Sequence, residues 1–319
     1  MNINEIPIFF TIDDTYAPYV TVAIKSIIEN ASKEYNYRIV VLYQDLTVEN
    51  MNRISKLSNE KFRIEFIYMK DEFKLITNRI ENCYVRLDYF TLTIFFRLLI
   101  PDMFPEYDKG IYIDSDIVVP GDISELYNIE LEDKLLGVCN DKSIIDIKIF
   151  TDYIENAVGI SKYKYFNSGV LLMNLKALRE KGFSNRFFEL LEKYHFDCVA
   201  PDQDYLNAIC KDNVLYLDEA WDAMPAKGRE MQKNPKLIHY NLNDKPWCYD
   251  NVQYEEYFWQ YAKMTDYYEE IVKYKNNYSD EKKNADSEGL NMLLKKAVDI
   301  PNNDITFKKV VEMGEKIQL

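Results

Sequence analysis

Asp114 and Asp116 are two carboxylates inside Ile111-Tyr112-Ile113-Asp114-Ser115-Asp116-Ile117-Val118-Val119, a run otherwise rich in β-branched and aromatic residues. In extended chain, residues two apart point to the same side, so a strand ending here presents both carboxylates to one face. Two like charges about 4 Å apart repel by roughly 4 kcal/mol at an effective dielectric near 20. A divalent cation between them is the simplest relief; the plain alternative is a turn in an acidic chain. A third ligand is available in His239, near the end of the strand-like run Lys236-Leu237-Ile238-His239-Tyr240, which would deliver its imidazole to the same sheet edge. Two carboxylates and one imidazole suit manganese, and magnesium also. Just behind lies Asn243-Asp244-Lys245-Pro246-Trp247, a loop that brings a cation within reach of anything the metal holds.

Other charged and polar groups carry weaker signals. Arg97 is a lone charge within Thr93-Ile94-Phe95-Phe96-Arg97-Leu98-Leu99. A buried arginine needs an anionic partner, and Asp114, Asp116 or a ligand phosphate are the candidates. Asp13-Asp14-Thr15-Tyr16 follows the first apolar run, where open α/β sheets bind ligands. An Asp accepting from a base and a Tyr stacking on it would suit a nucleotide, while helix capping ahead of Pro18 explains the same residues. Pro201-Asp202-Gln203-Asp204 reads singly as an acidic helix start, and Phe166-Asn167-Ser168-Gly169 as a turn leading into a strand.

The elements that must position these groups follow from periodicity. Ile8–Ile12 reads as a strand, and Val20, Ile24, Ile27 and Ile28 as a helix face. Arg38–Tyr43 and Arg63–Met69 read as strands around a helix over Thr47–Leu57. This alternation predicts a parallel sheet with helices on its faces. Tyr89–Ile100 reads as an apolar helix stopped by Pro101, with the two aspartates on the next strand. Further strands are expected at Leu135–Cys139, Tyr165–Met173, Val214–Leu217 and Lys236–Tyr240. Helices are expected near Asp122–Tyr127, within Ile144–Val158, over Leu175–Tyr194 with a break at Gly182, and from Pro201. Tyr254–Tyr278 reads as one closing helix, then a polar stretch, Ser279–Ala285, and short helices at Asn291–Val298 and Lys308–Met313. The division expected is a catalytic domain over 1–278 and a helical tail over 279–319.

Composition narrows the function. With 319 residues and 47% hydrophobic content the chain can bury a full core, and a formal net charge of -14 argues against nucleic acid as a partner. Five cysteines without a C-x-x-C pair suggest a reducing compartment, and the absence of a long apolar run predicts neither signal peptide nor span. A cytoplasmic protein is expected. The segment Glu281–Leu319 balances its lysines against its acids, so it suits an appended helical subdomain, or else peripheral contact with the inner face of a membrane or with a partner. Nine glycines form neither G-x-G-x-x-G nor G-x-x-x-x-G-K, which excludes a dinucleotide fingerprint and a P-loop. There is no G-x-S-x-G, and two histidines leave little room for a serine or cysteine triad.

Taken in order, Asp13-Asp14-Thr15-Tyr16, Arg97-Leu98-Leu99-Ile100-Pro101, Tyr112-Ile113-Asp114-Ser115-Asp116, Phe166-Asn167-Ser168-Gly169-Val170-Leu171, Asp202-Gln203-Asp204, and His239-Tyr240 with Lys245-Pro246-Trp247 resemble the family 8 glycosyltransferases. Glycogenin and the bacterial lipopolysaccharide galactosyl- and glucosyltransferases belong to that family, and the likeness spans roughly Ile6–Asp250. It implies an α/β fold of the GT-A type, with a mixed, mostly parallel sheet. It also implies a UDP-sugar donor, a divalent cation that is usually manganese, and transfer with retention to a glycan, glycoprotein or glycolipid. By position, Asp114, Asp116 and His239 would bind metal, Asp13 and Tyr16 the uracil, and Lys245 the diphosphate. Arg97, Asn167, Asp202, Gln203 and Asp141 would face the donor sugar, with Arg97, Asp202 and Gln203 nearest the chemistry. Where the family has Gly three residues after the metal-binding histidine, this chain has Leu242.

Two rival readings use some of the same residues. Asp114-Ser115-Asp116-Ile117-Val118 fits the D-x-D-x-[TV] strand of haloacid-dehalogenase-like phosphatases, but roughly 110 residues precede it here, whereas that group carries it close to the start. The other rival is a non-catalytic sugar-nucleotide-binding protein of the same fold.

Overall fold

The computed structural model describes residues 4–70, 92–226 and 228–319. In its first half β1 (Glu5–Ile12), α1 (Ala17–Asn30), β2 (Asn36–Tyr43), α2 (Val48–Ser55) and β3 (Phe62–Tyr68) alternate as the periodicity requires. Helix α2 is capped by Thr47, whose side chain accepts from the Asn50 amide. A short helix α3 (Ile100–Met103) leads into β4 (Gly110–Ile113) and β5 (Ile117–Val118). Then come α4 (Ile123–Tyr127), β6 (Leu136–Asn140), α5 (Lys148–Tyr153), β7 (Phe166–Met173), α6 (Leu175–Glu180), α7 (Phe183–Tyr194), α8 (Pro201–Cys210), β8 (Val214–Tyr216) and β9 (Ile238–His239). Helices α9 (Glu255–Ala262), α10 (Tyr268–Asn276), α11 (Asp280–Asp299) and α12 (Phe307–Glu312) close the chain.

Seven strands form one sheet in the order β3-β2-β1-β4-β7-β6-β8, and β5 pairs with β9 in a separate two-stranded piece. Pairings β1–β2, β1–β4, β2–β3 and β6–β8 are parallel; β4–β7 and β6–β7 are antiparallel. The sheet is therefore mixed and mostly parallel. Its central strands are mostly apolar because both faces are covered. Ile8, Phe10 and Ile12 enter one core with Val20, Ile24 and Ile27 of α1, while Phe9 enters the other with Tyr112, Leu171 and Phe187.

Three expected elements differ. The strand expected through Ile111–Val119 breaks at Asp114-Ser115-Asp116, because β4 pairs with β1 and β7 whereas β5 leaves the main sheet to pair with β9. The helix expected over Tyr89–Ile100 falls outside the described residues before Leu92; Leu92–Leu98 is a 3-10 helix, and Pro101 sits in the first turn of α3 instead of stopping a helix. A proline is tolerated there because the first-turn amides have no intrahelical partner. The single helix expected over Tyr254–Tyr278 is two, α9 and α10, and the polar stretch Ser279–Ala285 opens the 20-residue α11, with Ser279 as its cap.

Candidate functional site

The break between β4 and β5 builds the site. Asp114 and Asp116 lie in the gap between the main sheet and the β5–β9 pair, and antiparallel pairing sets Ile117 opposite His239. The Tyr240 amide donates to the Asp116 carbonyl at 2.9 Å, locking the two segments together. One ligand atom each from Asp114, Asp116 and His239 consequently lies within 4.8 Å of the others. His239 Nε2 is 3.3 Å from Asp116 Oδ1 and 3.9 Å from Asp114 Oδ2. Gly169 on β7 makes room: a Cβ there would meet the His239 ring and approach Asp114 Oδ2 to 2.7 Å.

These three residues fit a divalent cation. Asp116 Oδ1 is buried without a hydrogen bond, as expected of an oxygen that coordinates an ion. Burial pulls the His239 pKa down, but Asp116 and Asp222 outweigh it and push it up to about 10. Asp116 moves the other way: burial raises its pKa, yet Lys245 and His239 hold it well below the usual carboxylate range. The cluster thus gathers positive charge onto the carboxylates, the place a divalent ion would take with a neutral imidazole.

Arg97 joins this cluster to the first turn of α8. Its guanidinium is 2.9 Å from Asp114 Oδ1 and 3.2 Å from Asp202 Oδ2, donates to the Ser168 carbonyl at 2.8 Å, and lies over the Tyr112 ring. Although burial opposes its charge, Asp114 and Asp202 raise its pKa further. Ser168 donates from its hydroxyl to Asp202 at 2.9 Å and from its amide to Gln203 Oε1 at 2.9 Å. The Gln203 amide nitrogen donates to Asp141 Oδ2 at 2.9 Å, and Asn167 donates to the same oxygen at 3.4 Å. Arg97, Asp114, Asp116, Asp141, Asn167, Asp202, Gln203 and His239, expected from scattered motifs, line one cavity of about 250 Å³.

Tyr16 and Lys245 line a second, adjoining cavity of about 610 Å³, with Tyr19 and Trp247 stacked beside them at 4.1 Å between ring centroids. Lys245 Nζ bonds Asp116 and the Tyr240 carbonyl, so the expected diphosphate cation is tethered to the metal cluster. Asp13 serves as a helix cap: its Oδ1 accepts from the Thr15 and Tyr16 amides at 2.9 and 3.2 Å, fixing where Tyr16 stands. Leu242 keeps the left-handed backbone that a glycine would adopt, with φ +49°. For a leucine that conformation costs about 1–2 kcal/mol.

Two participants were given no role from the sequence. Asp222 is 3.1 Å from His239 Nδ1 and orients the ring from behind. It follows the strand-like Val214–Leu217 in the 3-10 helix Glu219–Asp222, and only its position behind a histidine marks it. Ser168, read as a turn residue, is the hub between Arg97, Asp202 and Gln203.

A family model described as glycosyl transferase family 8 matches residues 7–251. A putative glycosyltransferase of Haemophilus influenzae is 30% identical over 231 residues, 72% of this chain and 67% of that protein. A lipopolysaccharide 1,2-glucosyltransferase of Escherichia coli is 26% identical over 251 residues, 74% of this chain and 71% of that one. Among solved structures, galactosyltransferase LgtC in complex with donor and acceptor sugar analogs aligns with a TM-score of 0.67 at 24% identity, over 82% of this chain and 96% of that one. The apo bifunctional glycosyltransferase WbbM aligns with a TM-score of 0.74 at 24% identity, over 86% of this chain and 52% of that one, so this chain spans about half its length.

Proposed function

The chain belongs to glycosyl transferase family 8, and from that premise we propose that it moves a hexose, glucose or galactose, from a UDP-sugar to a glycan, glycoprotein or glycolipid acceptor with retention of configuration. The observation that carries this reading is the Asp114-Asp116-His239 cluster, which opens on the same cavity as Arg97, Asp202 and Gln203 and adjoins the one that holds Tyr16 and Lys245. Uracil stacks on Tyr16, whose position Asp13 fixes. The diphosphate lies between the cluster and Lys245, which exchanges Asp116 for phosphate oxygens, and the hexose enters the cavity beside Asn167, Asp141 and Gln203. A divalent ion held by Asp114, Asp116 and His239, manganese or magnesium, would neutralise the diphosphate and stabilise the charge that develops on departing UDP.

Retention admits a covalent glycosyl-enzyme or attack by the acceptor on the face that UDP leaves. We favour same-face attack, because the candidate nucleophiles are already engaged. Asp202 is tied to Arg97 and Ser168, and Gln203 spends its amide oxygen on the Ser168 amide. Arg97 then balances the charge of Asp114 and Asp202 while the diphosphate departs.

Residues 1–278 are read as the catalytic domain and 279–319 as a helical tail packed on it. Among the described residues no helix is long and apolar enough to cross a membrane; a cytoplasmic protein, with peripheral membrane contact through the tail as an option, is the reading we carry. The test is UDP released from UDP-glucose and UDP-galactose with manganese. Release from at least one sugar is expected. Failure with both, while UDP still binds, would leave a binding protein, and hydrolysis of p-nitrophenyl phosphate without a nucleotide sugar would favour the phosphatase.

A further inference from the structure

Helix α11 lies outside the family-matched residues 7–251 and yet walls the site. It is anchored at its start by Asp286, which accepts from the Tyr249 and Tyr278 hydroxyls at 2.6 Å each and whose carbonyl accepts from Asn243 at 3.3 Å. Further along, Leu290, Leu293, Leu294 and Ala297 pack against the cluster of Phe150, Tyr153 and Ile154. Between this helix and the segments around Pro225 and Asn241 runs an outer cleft of about 700 Å³. Its size is within the range of ligand sites, about 300–1,000 Å³.

The cleft communicates with both inner cavities. It shares Ser143, Asn241, Leu242 and Leu293 with the cavity of the metal cluster, and Leu242, Asn243 and Asp286 with the cavity of Tyr16 and Lys245. Leu242, 46% exposed, therefore stands where all three meet. Gly289 lines the cleft from the middle of α11. Glycine is among the poorest helix formers, and no packing explains it here, because a Cβ at that position would meet nothing within 4 Å. A side chain at this position would project into open space on the cleft wall.

We propose that the cleft between α11 and Leu242 receives the acceptor as an uncharged oligosaccharide, and that α11, through Gly289 and Leu293, selects it. This rests on the transferase reading. The lining combines the apolar surfaces of Ile147, Pro225 and Leu290 with Asp146, Asp244 and Asp286. Apolar walls take the C–H face of a sugar ring, and carboxylates accept from its hydroxyls. Among the described residues of this lining Arg229 is the one cation, and it is 2.5 Å from Asp146, so the described carboxylates outnumber it and disfavour an anionic acceptor.

The test places the full chain, with UDP and manganese, on an array of neutral and acidic glycans, beside Gly289→Trp, Gly289→Leu and Gly289→Ala. The large replacements fill the cleft while improving helix propensity, and UDP affinity measured by calorimetry reports that the fold and donor site survive. Expected are binding to neutral glycans by the native chain and by Gly289→Ala, and a loss of at least tenfold in Gly289→Trp and Gly289→Leu, with UDP affinity within twofold of native. Preference for acidic glycans, no glycan binding by a chain that binds UDP, or undiminished binding by both bulky variants overturns the proposal. Failure of the native chain to bind UDP at all would instead strike the transferase reading.

Discussion

The inner cavity and the outer cleft are built on opposite principles. Around the inner cavity, charge is packed against charge: Arg97 between Asp114 and Asp202, His239 between Asp116 and Asp222, and Lys245 on Asp116. Arg97 and Asp222 stand on 3-10 helices, Asp114, Asp116 and His239 at strand ends, Asp202 on the first turn of α8 and Lys245 on the loop after β9, so none can move without stranding a partner. The outer cleft is bounded by an appended helix, a leucine in a strained backbone conformation and a glycine whose missing side chain nothing fills. A substitution at Gly289 changes the second region without replacing any residue that lines the first, as a choice among acceptors would need.

The largest effects are expected at the inner cavity. Asp116→Ala should lower turnover of UDP-sugar by about 100-fold or more, with a cooperative unfolding transition retained; full turnover in this variant would remove the metal assignment. Arg97→Met leaves buried Asp202 and half-buried Asp114 without their cation and should cost about 3–5 kcal/mol in denaturant unfolding. Adding Asp202→Asn should recover part of that loss, and if the double variant is no more stable than the single, Arg97 is not the counter-ion described here.

Asp204, beneath the same turn of α8, tests how far the buried charge extends. It accepts from the Tyr153 and Tyr165 hydroxyls at 2.7 Å each, and burial pushes its pKa up to about 6. A raised folded pKa means that its stabilisation is fully present below the unfolded value near 3.8 and is lost as pH rises through about 6. The destabilisation caused by Asp204→Asn should therefore be larger at pH 5 than at pH 7.5, by about 1 kcal/mol. A pH-independent difference would contradict the shift. At the outer cleft the effect is smaller and of opposite sign. Leu242→Gly relieves the left-handed backbone and should raise stability by roughly 0.5–1 kcal/mol after the added chain entropy of glycine. A loss of stability would mean that the leucine side chain, and not the backbone, holds the loop.

Much of this was legible in the sequence, for identifiable reasons. Strands β1, β2 and β7 are buried on both faces and so read as apolar runs, and Gly182, in the left-handed region at φ +68°, ends α6 where the helical pattern breaks. Asp114, Asp116, His239 and Lys245 could be read because their neighbours are short and patterned. Asp222 could not: its only meaning lies in a contact with His239, 17 residues away, made when Ala223 bridges to Ile238 on β9. Nor could the division of β4 from β5, since local propensity is the same on both sides of the gap and only their partners differ. The wall formed by α11 was illegible for the same reason. Gly289 and Leu293 look like any helix interior until the 241–244 loop faces them.

In the reading proposed above, Asp114, Asp116 and His239 join UDP to the protein through one divalent ion. Calorimetric titration of UDP into the chain with manganese, with EDTA, and into Asp116→Ala with manganese tests it directly. Tight binding with one manganese per chain is expected, and at least tenfold weaker binding both with EDTA and in Asp116→Ala. Equal affinity under all three conditions would contradict it.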